Sequence, residues 1–217
     1  MAHPGWPFSR LSIVGPRLTL CGITDEHFHG LFAAMHQGVH PEGTESLSFP
    51  PSALTGSELE VFAKDTWLKN SQHWSISRWW LDFSVFMNTE PNVPIGMQAL
   101  SASDFLKHRQ VTTASWLTKN FQSQGLGTEM RRMILDFAFL ELGATSAISE
   151  AFPENLASAR VPISLGYEPL GTEVITTPSG ETVQLDRFRV DRESWLSSSR
   201  ALQSVRGLET CLQYFGL

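Results

Sequence analysis

Three stretches rich in aromatic, β-branched and small apolar residues follow one another at 78–87, 93–100 and 111–118, and this run constrains the fold more than any other feature. Each stretch has the length of a buried strand and is too short for a buried helix. Asn88-Thr89-Glu90-Pro91-Asn92 joins the first two, and Asn, Pro and Glu there make a turn. A longer excursion at 101–110 precedes the third. The pattern predicts an antiparallel meander. On either side of it the apolar period changes from that of a strand to that of a helix.

Before the meander, Arg17-Leu18-Thr19-Leu20-Cys21 alternates as a strand. Thr24 then caps a helix with Asp25 and Glu26 in its first turn, where the helix dipole favours them. Phe28, Leu31, Phe32 and Met35 give that helix one apolar face, and Gly38 stops it. Residues 39–54 hold Pro41, Gly43, Pro50 and Pro51 and form a loop, either a connector or a lid over a site. Thr55-Gly56-Ser57-Glu58 is a capping-box pattern for a second helix through Leu59, Phe62, Ala63 and Thr66. After the meander, Met130, Met133, Ile134, Phe137 and Ala138 mark a helix ended by Gly143. A strand at 147–152, a helix at 155–165 closed by Gly166, and a hairpin of 167–175 with 182–190 around Pro178-Ser179-Gly180 complete the pattern. Ser194 onward is expected to be helical. The order β-α-α-β-β-β-α-β-α-β-β predicts one mixed α/β domain over residues 1–217, with a core at 16–190 and a helical extension at 191–217.

Composition narrows the function classes. The 16 Lys+Arg against 22 Asp+Glu leave a net charge of −6, which argues against duplex nucleic acid as a partner. A hydrophobic share of 41% with seven Trp and fourteen Phe supplies a packed core without staples. Cys21 and Cys211 have no CxxC spacing, so neither a disulfide framework nor a zinc site is expected, and no metal is called for. No run of 18 apolar residues exists, so no membrane helix is expected. Met1-Ala2-His3-Pro4-Gly5-Trp6-Pro7 has neither a basic start nor an apolar segment, which reads as a cytoplasmic chain without a signal peptide.

The chemistry concentrates in two places. Gln122-Ser123-Gln124-Gly125-Leu126-Gly127 lies between a strand and a helix. Glycines there let the backbone approach an anion, and the free N–H groups of the helix's first turn point at it. No Gly-Lys-Ser/Thr follows and the third glycine of a dinucleotide fingerprint is missing, so neither of those sites is present. On spacing alone a tight strand-to-helix turn accounts for the glycines equally well. The second place is Glu150-Ala151-Phe152-Pro153-Glu154-Asn155-Leu156-Ala157-Ser158, closed by Leu165-Gly166-Tyr167.

Together these segments resemble the GNAT acyltransferase superfamily, in which Q/R-x-x-G-x-G/A opens a helix and N-x-x-S/A, then L-G-F/Y, follows. Pro16-Arg17-Leu18-Thr19-Leu20 with Thr24-Asp25-Glu26 is similar to the branch of ribosomal-protein N-terminal acetyltransferases. Gly96-Met97-Gln98-Ala99-Leu100-Ser101 through Gly127-Thr128-Glu129-Met130 is similar to an actinobacterial, succinyl-CoA-dependent member. The resemblance spans 16–190 and implies a mostly antiparallel, splayed sheet flanked by helices. It implies acetyl-CoA or succinyl-CoA as acyl donor, a small-molecule or peptide amine as acceptor, and a possible homodimer.

Carried over by position, the resemblance implies that Trp116, Leu117 and Thr118 offer backbone groups to the pantetheine and thioester. Gln122, Ser123, Gln124, Gly125, Leu126, Gly127 and Thr128 cradle the diphosphate, Asn155 bonds the pantetheine, and Ser158 sits near the sulfur. Acyl transfer needs a base for the protonated amine, donors for the developing oxyanion and help for the leaving thiolate. The resemblance makes Glu150 the expected base, since it lies five positions before Asn155, where the N-terminal acetyltransferases of the superfamily carry a catalytic Glu, and partial desolvation at the strand end would raise its pKa. Ser158 is the expected partner of the thiolate, because Pro162 stands where many relatives carry a Tyr. Pro162 also predicts a kink in its helix.

Weaker expectations attach to Gln98 and Ser101 as contacts for an acyl carboxylate, and to Arg131, Arg132 and Arg160 as contacts for a 3′-phosphate. His73, His108 and Asp104 are loop residues that can line the acceptor site, and Trp74, Trp79 and Trp80 are core or acceptor wall. His27 and His29 are not expected to hold a metal. Two other readings stay open: a CoA-binding protein without turnover, and an α/β protein whose glycine turn binds another phosphate ligand or none.

Overall fold

The computed structural model describes residues 6–39, 54–176, 182–197 and 201–217. After a single 3-10 turn at Pro7–Arg10 come β1 (Ser12–Val14), β2 (Leu18–Gly22), α1 (Asp25–His36) and α2 (Gly56–Gln72). The meander follows as β3 (Arg78–Met87), β4 (Glu90–Ser103), the one-turn α3 (Phe105–His108) and β5 (Gln110–Leu117). Then come α4 (Leu126–Asp136), β6 (Ser146–Ala151), α5 (Leu156–Ser164), β7 (Glu168–Thr176) and β8 (Thr182–Asp191). The chain finishes with α6 (Arg192–Leu196), β9 (Ser204–Arg206) and α7 (Leu212–Phe215).

Among the described residues one sheet gathers nine strands in the order β7-β8-β6-β5-β4-β3-β2-β1-β9. Every pairing is antiparallel except β5 with β6. This is a mixed α/β fold with a mostly antiparallel sheet. One face buries α4, whose Leu126, Met130, Met133 and Ile134 lie against Phe83, Val85 and Leu117 in the main core. The other face carries α1 and α2. There Phe28, Leu31, Ala63 and Trp67 cover Met97, Ala99 and Trp116. The two faces follow from the two-residue alternation of the strands.

Several local expectations differ from what forms. Thr55 occupies the N-cap of α2 in extended backbone, but its side chain makes no cap bond, so the capping box is not closed. At Thr24 the returning bond comes from His27, whose Nδ1 accepts the Thr24 N–H at 3.4 Å. Pro162 lies buried inside α5, which runs to Ser164, so it removes one hydrogen bond of that helix. Among the described residues the tail beyond Asp191 is helical only at α6 and α7. It returns to the sheet as β9, antiparallel to β1, and Cys211 and Phe215 enter the core fully buried. A one-turn helix closes the 101–110 excursion. Most of the 39–54 loop and the Pro178-Ser179-Gly180 turn lie outside the described residues.

Candidate active site

The parallel ladder between β5 and β6 runs from Gln110/Ser146 to Thr113/Ser149 and stops. Beyond it β5 stays with β4 as far as Leu117, and β6 stays with β8 as far as Ala151. The two strands therefore part, leaving a V whose arms are residues 114–117 and 150–151. Backbone groups on the facing edges of those arms have no ladder partner, which makes them available to a ligand.

Arg131 of α4 stands in the crotch of this V. Its Nη1 donates to Ser149 Oγ on β6 at 2.8 Å, and its Nη2 donates to Ser115 Oγ on β5 at 3.0 Å. The guanidinium is buried with no carboxylate among its partners. Burial pushes its pKa down, and the nearby Tyr167 hydroxyl, itself pushed up by burial, opposes that shift. Arg131 is thus committed to holding the arms and is not exposed to meet a 3′-phosphate. Arg132 lies over the Trp195 ring at 5.4 Å, and Arg160 is exposed on α5.

The glycine turn sits at the end of the β5 arm. Gly125 is the N-cap of α4 with φ +75°, and Ser123 is also left-handed at φ +59°. The first intrahelical donor is Glu129 N–H, to Gly125 O at 3.0 Å, so the N–H groups of Leu126, Gly127 and Thr128 precede the ladder. The Gln122 side chain is structural. Its Nε2 donates to Leu117 O and to Val39 O, both at 2.7 Å, tying the turn to the end of β5. Gln124 Nε2 donates to Asn120 O at 2.6 Å. A side chain at Gly125 would meet only Arg17, at 3.7 Å, so the space above the turn is open. At Gly127 an added Cβ would touch Leu117 and Val161 at ordinary contact distance.

Arg17 is a site residue that the sequence reading did not single out. From the β1–β2 turn its Nε donates to Glu129 Oε2 at 2.6 Å and its Nη1 to Gln124 O at 3.2 Å, with the side chain 48% exposed. It places a cation beside the turn. Only the tertiary pairing of β1–β2 with α4 brings it there, 112 residues from Glu129, so no local spacing signals it.

On the other arm, Asn155 is the N-cap of α5, its Oδ1 accepting Ser158 N–H at 3.0 Å. That leaves the Asn155 amide donor and the Ser158 hydroxyl without partners among the described residues, both half-buried. Ser149 faces α4, so Glu150, next along β6, faces the side of α1 and α2. Its carboxylate is 36% exposed and 3.2 Å from Arg187 Nε. The carboxylate that the sequence reading expects to be partly desolvated is thus ion-paired and partly exposed at the strand end.

Other expected positions separate. Trp116 and Leu117 are buried on opposite faces of the β5 arm, and Thr118 N–H bonds Ile95 O at 2.9 Å. Gln98 is fully buried on the α4 face, its Nε2 donating to Ala99 O and Ala114 O, both at 3.0 Å. Ser101 is half-buried on the opposite face, so the structure does not bring this pair together. His27 bonds Ser84 Oγ at 3.1 Å, and His73 bonds Lys69 O at 2.8 Å. In the β4–β5 connection, Asp104 is the N-cap of α3 and His108 is its last residue. Trp74 stacks on buried Trp79, whereas Trp80 is on the other face and 37% exposed. Among the described residues no group of three His, Cys, Asp or Glu side chains is placed to hold a metal, and no helix is long and apolar enough to cross a membrane.

The fold is shared with solved proteins. A Vibrio cholerae protein assigned as a ribosomal-protein-serine acetyltransferase superposes with TM-score 0.64 at 22% identity, over 83% of this chain and 97% of that one. A GNAT-family acetyltransferase from Bacillus anthracis gives 0.60 at 18% identity, over 84% and 99%. The microcin C7 self-immunity acetyltransferase MccE, solved with acetyl-CoA and AMP, gives 0.61 at 15% identity, over 81% and 92%. The sequence pattern of the family described as acetyltransferase (GNAT) domain matches residues 17–168. With that match across most of the chain, and a splayed sheet meeting a glycine turn at a helix start, the protein belongs to the GNAT acetyltransferase family.

Proposed function

We propose that this protein transfers an acyl group from a coenzyme A thioester to an amine by direct attack within a ternary complex. The observation that carries the reading is the junction of two features: the V between β5 and β6, and the open, left-handed Gly125 turn at the start of α4. The V offers a slot with unpaired backbone edges for an amide-bearing arm. The turn offers N–H groups and a helix dipole to a diphosphate at the end of that slot.

Each chemical need then falls to a nearby group. A main-chain N–H on the 114–117 edge would donate to the thioester oxygen as charge develops there. The Asn155 amide would donate to the pantetheine, and the Ser158 hydroxyl would donate to the departing thiolate. Glu150 would take the proton from the attacking amine, on the face opposite α4. The Arg187 Nε, 3.2 Å away, helps to hold that carboxylate in place. Arg17 would add a cation beside the diphosphate. Neither cysteine suits a covalent route: burial raises both thiols, and Cys211 is committed to the carbonyls of Pro7 and Gly207. Acetyl is the default donor, with succinyl as its rival, and the acceptor is a small-molecule or peptide amine met in the cytoplasm.

A second reading, a CoA-binding protein without turnover, is favoured by two observations: the solvated, ion-paired Glu150 and the proline at the position of the usual tyrosine. Thiol release from acetyl-CoA and succinyl-CoA with a panel of amines decides between them. Turnover that falls about 10²-fold or more in Glu150→Gln supports the first reading. CoA binding without turnover in the unaltered protein supports the second.

A further inference from the structure

Asp82 lies on β3, on the face that carries α1 and α2, and is 8% exposed. Its Oδ1 accepts the Trp80 indole N–H at 2.7 Å, and its Oδ2 accepts the Asn70 amide N–H of α2 at 3.0 Å. Both donors are neutral, and no cationic side chain among the described residues pairs with it. The carboxylate reaches a cavity of about 30 Å³ whose other walls include Trp6, Phe28, Trp67, Trp80 and Asn70. That volume holds one or two small non-hydrogen groups at most.

A buried carboxylate without a countercharge is costly, and proteins rarely leave one so. The cavity beside it is rimmed by indole and phenyl rings, whose π-systems attract cations. Two alternatives to a cation are poor. A neutral apolar ligand would leave the carboxylate uncompensated, and an anion would be repelled. We propose that the Asp82 cavity is a binding site for the ammonium head of an organic amine, which donates to the carboxylate while its alkyl chain runs out past the aromatic walls. The site is two strands away from β5 and shares no residue with the V, so it stands whether or not the acyl-transfer reading does.

The test uses the whole protein without CoA. n-Butylammonium chloride is titrated while tryptophan emission is followed, since Trp6, Trp67 and Trp80 line the cavity. Potassium chloride controls for ionic strength, and n-butanol supplies the same chain without charge. The expected result is a saturable change with butylammonium alone, with Kd about ten-fold or more weaker in Asp82→Asn, because hydrogen bonds to a charged group are the strong ones. Trp80→Phe keeps the carboxylate and should weaken binding less. A response to butanol equal to that to butylammonium, or no saturable response in the unaltered protein, overturns the assignment even if Asp82→Asn fails to fold. An equal Kd in a folded Asp82→Asn protein overturns it too. Butylammonium inhibition of acyl transfer then tells whose ammonium is held: competition with the amine acceptor marks the acceptor's own, and a non-competitive pattern marks a separate ligand.

Discussion

At the scale of single residues, Asp82 carries a pH dependence with a definite sign. Burial lifts its pKa from 3.8 to about 6, against the pull of its Asn70 and Trp80 hydrogen bonds. The folded protein therefore holds this proton to higher pH than the unfolded chain, and stability falls as pH rises between those two values. Above about pH 6 the full cost is present, on the order of 3 kcal/mol for a two-unit shift. Asp82→Asn should remove that cost, provided Asn70 turns its amide so that oxygen faces the new N–H group. Urea unfolding at pH 5 and 7.5 should show the unaltered protein losing stability relative to Asp82→Asn as the pH rises, the difference between the two isolating Asp82 from other titrating groups such as His27.

The two glycines of the turn make a second residue-level contrast. Gly125 is left-handed, so Gly125→Val strains the backbone and fills the open space above it, and CoA affinity should collapse. Gly127 has an ordinary backbone and room for a methyl group, so Gly127→Ala should keep CoA binding within a few-fold. Calorimetric titration of CoA against both variants checks the pair. Equal losses in the two would show that bulk near the turn, not backbone approach to a phosphate, sets affinity.

Among the elements, α4 contributes twice: its N-terminus opens the turn, and its second turn sends Arg131 between the two arms. Arg131→Met preserves volume and removes a buried charge, so thermal stability should change little. The arms would lose their common tether, and CoA should bind several-fold more weakly. A variant with unchanged CoA affinity would reduce Arg131 to a packing role. The helix itself was legible in sequence because Met130, Met133, Ile134 and Phe137 repeat at helical spacing and all are buried. The fate of Arg131 was not legible, because an arginine in a helix reads as solvated unless its partners on two distant strands are known. Alternation along β4 puts Gln98 and Ser101, three residues apart, on opposite faces of the sheet.

For the whole molecule, the ends of the sheet matter most. The meander and the terminal hairpin were legible from long apolar stretches bounded by turns. The three-residue strands β1 and β9 were not, because so short a segment has no period to read. Their pairing is set from outside, by aromatic packing that gathers Phe8, Trp74, Tyr214 and Phe215 with ring centroids 4.4–5.9 Å apart. The tail is thus part of the core. Phe215→Ala should cost about 3–5 kcal/mol, the range for a fully buried Phe, measured as a lowered urea midpoint.

The sheet finishes differently on its two sides. On one side β9 is three residues long, too short to template another strand. On the other, β7 spans nine residues, exposed along nearly its whole length, with Leu170 and Val174 outward. A sheet with a single usable rim cannot polymerise by strand addition: once two copies join rim to rim, neither has another to offer, so growth stops at two.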